Sequence, residues 1–237
     1  MFLVFCRVGG AIRFLPALGE VFFPMTIRVA FSLALSMVIY PLVSESLANV
    51  EQPILMVSGI IKEAFIGVFI GLTIKLTFQA IHVAAVFIAT QSGLAFATLY
   101  DPSQREQSTI IASLISILVL TAIFISDTHH LYIKAIIESY NIFHPSSLLN
   151  TADFSASIVK TLTISLEIAL KIAAPYFLLN LIITICNGIL SRLMPSFQVF
   201  FVMTPLQVLI TYLILFITIN STIELEVEAI RRALLNF

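Results

Sequence analysis

An all-helical, polytopic membrane-associated protein is the fold class this sequence predicts, and three observations carry the prediction. The 237 residues are 59% hydrophobic and only 11% charged, with a mean hydropathy of +1.08. An average soluble domain carries roughly 25% charged residues, so this chain has too little charge to cover a surface facing water. A bilayer, or a mostly buried place in an assembly, must supply its surroundings. Apolar runs long enough to cross a membrane, about 20 residues each, occur at 1–19, 26–43, 54–100, 107–126, 155–190 and 197–220. None shows the alternating ten-residue pattern of barrel strands, so the spans are helices.

Taken in order, the first run is apolar from Met1 and holds Arg7 and Arg13 within it. It lacks a basic leader and an A-x-A-like site, so it reads as a retained helix rather than a cleaved signal peptide. Pro24, Pro41 and Pro53 bracket the second run and the polar loop 44–53. The runs 54–100 and 155–190 exceed one crossing; they either kink and re-enter or extend beyond the hydrocarbon into protein. Asp101-Pro102 has the form of an N-cap followed by proline at the first helical position. Ser126-Asp127 is expected to cap the next helix, whose Ile133, Ile136, Ile137 and Tyr140 share one face. His144-Pro145 ends it. Ser221-x-x-Glu224 is a capping-box pattern and predicts a separate amphipathic helix over 221–237, with Ile223, Val227, Ile230 and Leu234 as its apolar stripe.

The basic residues are scattered, several inside apolar runs, so positive-inside counting gives no clear topology. Lys62, Glu63 and Lys75 interrupt one long run, and Lys160, Glu167 and Lys171 the next. Charge at membrane depth is costly and faces a bundle interior or a watery path. These six read as inter-helix or inter-subunit pairs or a polar lining; the competing reading is snorkelling at helix ends. Gly67-x-x-x-Gly71 permits close helix packing. Cys6 and Cys186 read as small core residues.

Enzymatic chemistry finds little support. No HExxH, GxSxG or glycine-rich phosphate loop occurs. His129 and His130, being adjacent, are expected to point to different faces and so to suit a metal poorly; His82 and His144 read as structural. No catalytic residue, metal or cofactor is expected. With a net charge of −1, nucleic acid is not an expected partner.

The stretch QSGLAFATLYDPSQREQS at 91–108 breaks two apolar runs with a glycine, two aromatics and Asp-Pro. Non-helical backbone at membrane depth is tolerated only where protein buries it or where it lines a cavity. Gly93 frees the backbone and Phe96, Leu99 and Tyr100 supply bulk. The segment suits either a plug in a conduit or an ordinary loop packed on its neighbours.

This same stretch resembles the Q-x-G-L-x-F-A-x-x-x-D-P signature of the FliR family of flagellar export-gate proteins and their type III secretion injectisome counterparts, the SctT proteins. Residues 7–36 resemble the family's R…P…P…R start, here Arg7, Pro16, Pro24 and Arg28. Asp127-Thr-His-His130-Leu131 is similar to the family's short polar turn. Arg192, Pro195, Gln198, Phe200 and Pro205 resemble its hairpin tip, R-x-x-P-x-x-N-x-F…P, with glutamine at the asparagine position. The stretch 165–215 is also similar to FliQ.

The resemblance implies a FliP-like part over 1–150 joined to a FliQ-like hairpin over 151–220. It implies a non-enzymatic gate subunit in the bacterial inner membrane, at the flagellar basal body, assembled with FliP and FliQ near FlhB and FlhA and passing unfolded flagellar subunits. Gly93, Leu94, Phe96, Leu99, Tyr100, Asp101 and Pro102 would form the pore plug, and the hairpin tip would face the cytoplasmic entrance. An injectisome gate subunit is the alternative within the family. A secondary transporter of small solutes is the alternative outside it, and it predicts an inverted repeat that the two halves do not show.

Overall fold

In a computed structural model, the described residues are 1–16, 23–43, 53–93, 110–143, 151–194 and 199–235. Among them are seven helices and no strand: α1 (Phe2–Ile12), α2 (Met25–Val43), α3 (Pro53–Gln91), α4 (Ile110–Ile125), α5 (His129–Ile142), α6 (Thr151–Leu193) and α7 (Val199–Leu235). Four of them, α2, α3, α6 and α7, are long and apolar enough to cross a membrane.

Over the described residues each of the long runs is one unbroken helix. Helices α3, α6 and α7 hold 39, 43 and 37 residues, so at 1.5 Å per residue each is about 55–65 Å long. A hydrocarbon core is only about 30 Å thick. The excess length must pass through headgroups, water or protein. Pro175 and Pro205 are accommodated inside α6 and α7, and Pro41 lies inside α2, two residues before its end.

Helix α2 shows how the solvent changes the pattern. Its buried positions are Ser32, Ser36, Ile39 and Val43, one stripe at helical spacing, while Ile27, Phe31, Met37, Val38 and Leu42 are exposed. The serine hydroxyls bond back to the helix's own carbonyls, at 2.7 Å to Arg28 and to Leu33. Two of the four inward positions are small serines and most of the large apolar residues face outward, as close packing between membrane helices favours. Helix α2 packs on α1.

Three local expectations are corrected. Helix α7 runs without a break through Ser221, so 221–235 is no separate helix. The preceding ILFITIN holds no breaker, and a Ser-x-x-Glu pair does not end a helix by itself. The N-cap of α5 is Thr128, without a side-chain capping bond, because Asp127 takes the left-handed conformation (φ 55°) and turns α4 by 70° into α5. The buried face of α5 is Tyr132, Ala135, Ile136, Ser139 and Tyr140, so Ile133 and Ile137 lie at its margin.

The chain divides into two compact units, each discontinuous in sequence. One comprises Met1–Phe78, Ile123–Ile164 and Glu228–Phe237; the other comprises Gln79–Ala122 and Ser165–Val227.

Candidate functional site

In the first unit the centre is an arginine that an apolar helix carries inward. Arg7 of α1 is fully buried, and Glu63 of α3 is 1% exposed. Arg7 Nε donates to Glu63 Oε2 at 2.6 Å and Nη2 to Oε1 at 3.0 Å, a two-pronged pair. Nη1 donates to Ser139 Oγ of α5 at 3.0 Å, and Nη2 also reaches the Phe143 carbonyl at 3.2 Å. The Tyr140 ring lies 3.6 Å from the guanidinium carbon, a cation–π contact. Three helices thus meet on one guanidinium, whose planar fork suits this geometry as a lysine would not.

What lets α1 come so near α3 is the absence of side chains. A Cβ added at Gly67 would lie 2.0 Å from the Arg7 carbonyl oxygen, and one at Gly71 would lie 2.5 Å from that of Ala11. A Cβ at Gly10 of α1 would meet the Ala64 carbonyl at 2.9 Å. The Gly67-x-x-x-Gly71 pattern is therefore a backbone-to-backbone seam. Beside it, Phe65, Phe69, Phe143 and Phe154 pack in edge-to-face and stacked pairs with centroids 4.6–6.3 Å apart.

The six charges read from the sequence separate into different situations. Glu63 is in the buried pair. Lys62 is half-buried and Lys75 exposed, the latter with its ammonium 5.8 Å from the Phe14 ring centre. Lys160 is exposed. Glu167 and Lys171 pair with each other at 2.7 Å along α6, both more than half exposed, so among the described residues they link no second helix.

In the second unit a neutral polar cluster joins three helices where α3 ends. Asn180 Nδ2 of α6 donates to Gln91 Oε1 of α3. Gln207 Nε2 of α7 donates to the Gln91 backbone carbonyl and, at 3.0 Å, to Asn180 Oδ1. Two residues on, Gly93 has φ +78°, and a Cβ there would lie 3.8 Å from Thr204 Cγ2 of α7. The α6–α7 pair is tied again by Tyr176 Oη and Thr218 Oγ1 at 2.9 Å. Of the expected plug residues only Gly93 is described; Leu94, Phe96, Leu99, Tyr100, Asp101 and Pro102 lie outside the described residues, as do Pro195 and Gln198 of the hairpin tip. Arg192 is exposed near the end of α6, and Phe200 and Pro205 fall in the first turns of α7.

Other positions depart from expectation. His129 and His130 do not diverge: their ring centres are 4.1 Å apart, since both sit in the first turn of α5 beyond the Asp127 bend. Asp127, His129 and His130 place ligand atoms within 4.8 Å of one another. The positive end of α5 beside them disfavours a cation. Cys186 is exposed rather than core, and both cysteines are free. Sequence reading missed Asn180 and Gln207, and also Glu226, which is fully buried with no hydrogen-bond partner for either carboxylate oxygen among the described residues. Its four-residue spacing from Thr222 and Ile230, both buried, was the available signal.

Comparison with known proteins matches residues 1–233 to the family described as Bacterial export proteins, family 1. A flagellar biosynthetic protein FliR of Caulobacter vibrioides is 33% identical over 220 residues, 92% of this chain and 88% of the relative. That of Bacillus subtilis is 26% identical over 98% of this chain and 93% of its own length. That of Escherichia coli is 26% identical over 84% and 76%.

Proposed function

Since this chain belongs to bacterial export proteins family 1, the family of the flagellar biosynthetic protein FliR, we propose that it is a structural and gating subunit of the flagellar protein-export gate in the bacterial inner membrane. Its neighbours in the gate are FliP- and FliQ-type subunits, with FlhB and FlhA near the cytoplasmic side, and its cargo is unfolded flagellar subunits. Residues 93–108 act as the seal of the pore, and the hairpin tip from Arg192 to Pro205 lies at the entrance. The flagellar branch is preferred to the injectisome branch because the relatives carry flagellar names.

One structural observation carries the assembly reading. Helices α6 and α7 are about twice as long as a bilayer core is thick, yet their large apolar side chains, among them Leu170, Leu178, Leu181, Leu209 and Phe216, stand exposed. Lipid alone cannot cover helices of that length. Protein partners of similar hairpin form can.

Co-purification tests it. Tagged chain expressed with its host's FliP and FliQ should run in mild detergent as a large, stoichiometric complex, and without them as a smaller, poorly behaved species. A well-behaved monomer or homodimer whose size ignores FliP and FliQ would remove the gate assignment and return the transporter reading to first place.

A further inference from the structure

We propose that Gln91, Asn180 and Gln207 are positioning residues: a three-helix latch that holds the C-terminal end of α3 on α6 and α7 and so fixes the point from which the chain departs at Gly93. The inference rests on the reading that the segment after Gly93 seals the pore, and it adds what keeps that segment's root in place.

The hydrogen bonds are mutually determined. Asn180 gives its N–H to Gln91 and receives one from Gln207. Turning any one of the three amides over would set N–H against N–H or oxygen against oxygen, so the cluster has one arrangement. Gln91 is the last residue of α3, and its carbonyl is among the four that a helix leaves without an internal partner. Gln207 supplies that partner from another helix. Among the described residues, the donor to this helix end comes from α7. Ser92 is turned back onto α3, its N–H to the Ile88 carbonyl at 2.9 Å and its hydroxyl to the Ala89 carbonyl at 2.8 Å, and Gly93 then leaves the helix with φ +78° beside Thr204. No member of the cluster is ionisable, so the latch is indifferent to pH and opens only by mechanical separation of α3 from α6 and α7. Two hydrogen bonds from one amide are a modest tie: deleting them shifts the ratio of detached to attached states by on the order of tenfold or more.

The test uses the whole gate assembled with its partner subunits in cells, in a background with Cys6→Ser and Cys186→Ser. Two readouts are taken in separate strains: ion leak by a potential-sensitive dye with Gly93 and Thr204 intact, and oxidative crosslinking between Gly93→Cys and Thr204→Cys, each variant's rate being compared with that of the two-cysteine chain alone. Gln207→Leu and Asn180→Leu should each raise the leak toward that of a 95–100 deletion and slow crosslinking several-fold. If the deletion leaks but Gln207→Leu stays tight and crosslinks at the parent rate, the latch is wrong and the seal reading stands. If the deletion itself holds its potential, the seal reading fails, and the crosslinking rate alone decides the latch. Should Gln207→Leu not accumulate, Gln207→Asn, one methylene shorter, takes its place: slowed crosslinking supports the latch, and an unchanged rate overturns it.

Discussion

Glu63 and Glu167 are the same residue type, each set in a long apolar helix with a basic residue nearby in sequence, yet they occupy opposite situations. Glu63 is buried and meets Arg7 from another helix through two hydrogen bonds. Glu167 is well exposed and meets Lys171 four residues along its own helix. The difference teaches that a charge in an apolar run is defined by what crosses its helix at that level, and that the nearest opposite charge in sequence is a poor guide. Lys62 directly precedes Glu63, but the arginine 56 positions away is the partner.

The largest effect should come from breaking the buried pair. Arg7→Ala or Glu63→Ala leaves a buried charge uncompensated, at a cost of about 3–5 kcal/mol. Either should abolish recovery of folded chain from mild detergent or lower its thermal midpoint sharply. The double replacement Arg7→Met with Glu63→Met should recover much of that loss, since it removes both charges and keeps volume. Equal damage in the double variant would mean that Ser139 and Phe143 depend on the guanidinium more than on charge balance.

A smaller loss is expected at the seam. Gly67→Ala forces apart α1 and α3, since the new carbon would lie 2.0 Å from the Arg7 carbonyl; overpacking of this kind costs about 1–3 kcal/mol. Gly188→Ala, with nothing within 4 Å of its added carbon, is the matched control and should leave the midpoint unchanged or slightly raised. A midpoint at Gly67→Ala no lower than at Gly188→Ala would show that the seam yields to the added methyl and that close contact there is not needed for stability.

The smallest effect belongs to the exposed pair. Glu167→Ala should leave the midpoint of the isolated chain unmoved, in keeping with the small worth of solvent-facing pairs. A drop confined to the assembled complex would instead place a partner subunit against this stretch of α6, and exchanging the two charges would then test for that partner directly.

Much of the fold was legible because membrane helices announce themselves by length and polarity alone. The runs at 26–43 and 155–190 became α2 and α6 with modest changes of boundary, and the run at 197–220 became the first part of the longer α7. The Gly67–Gly71 pattern pointed correctly to close packing but could not say against what. Signals that depend on a local contest went wrong: the Ser221 capping box lost to an unbroken α7, and Asp127 spent its side-chain potential on a left-handed bend rather than a cap. The candidate sites were legible only in fragments. Arg7 stood out as a charge in an apolar segment, but Ser139 and the Phe143 carbonyl, more than 130 residues away, carry no sequence mark. Asn180 and Gln207 likewise join Gln91 across 89 and 116 positions, and amides in helices read as ordinary until their neighbours are known.

The glycine seam also bears on motion. With the Arg7 carbonyl seated where Gly67 has no side chain, a slide of α1 along α3 would move that oxygen toward the side chains three residues to either side on the same face, Ala64 and Ile70, and pull the guanidinium off its carboxylate. Rotation about the α1 axis meets the same obstruction. The two helices are keyed in register, so shear between them is forbidden while both contacts hold. Any change of shape has to carry α1 and the adjoining length of α3 as one rigid piece, with its give located elsewhere in the chain.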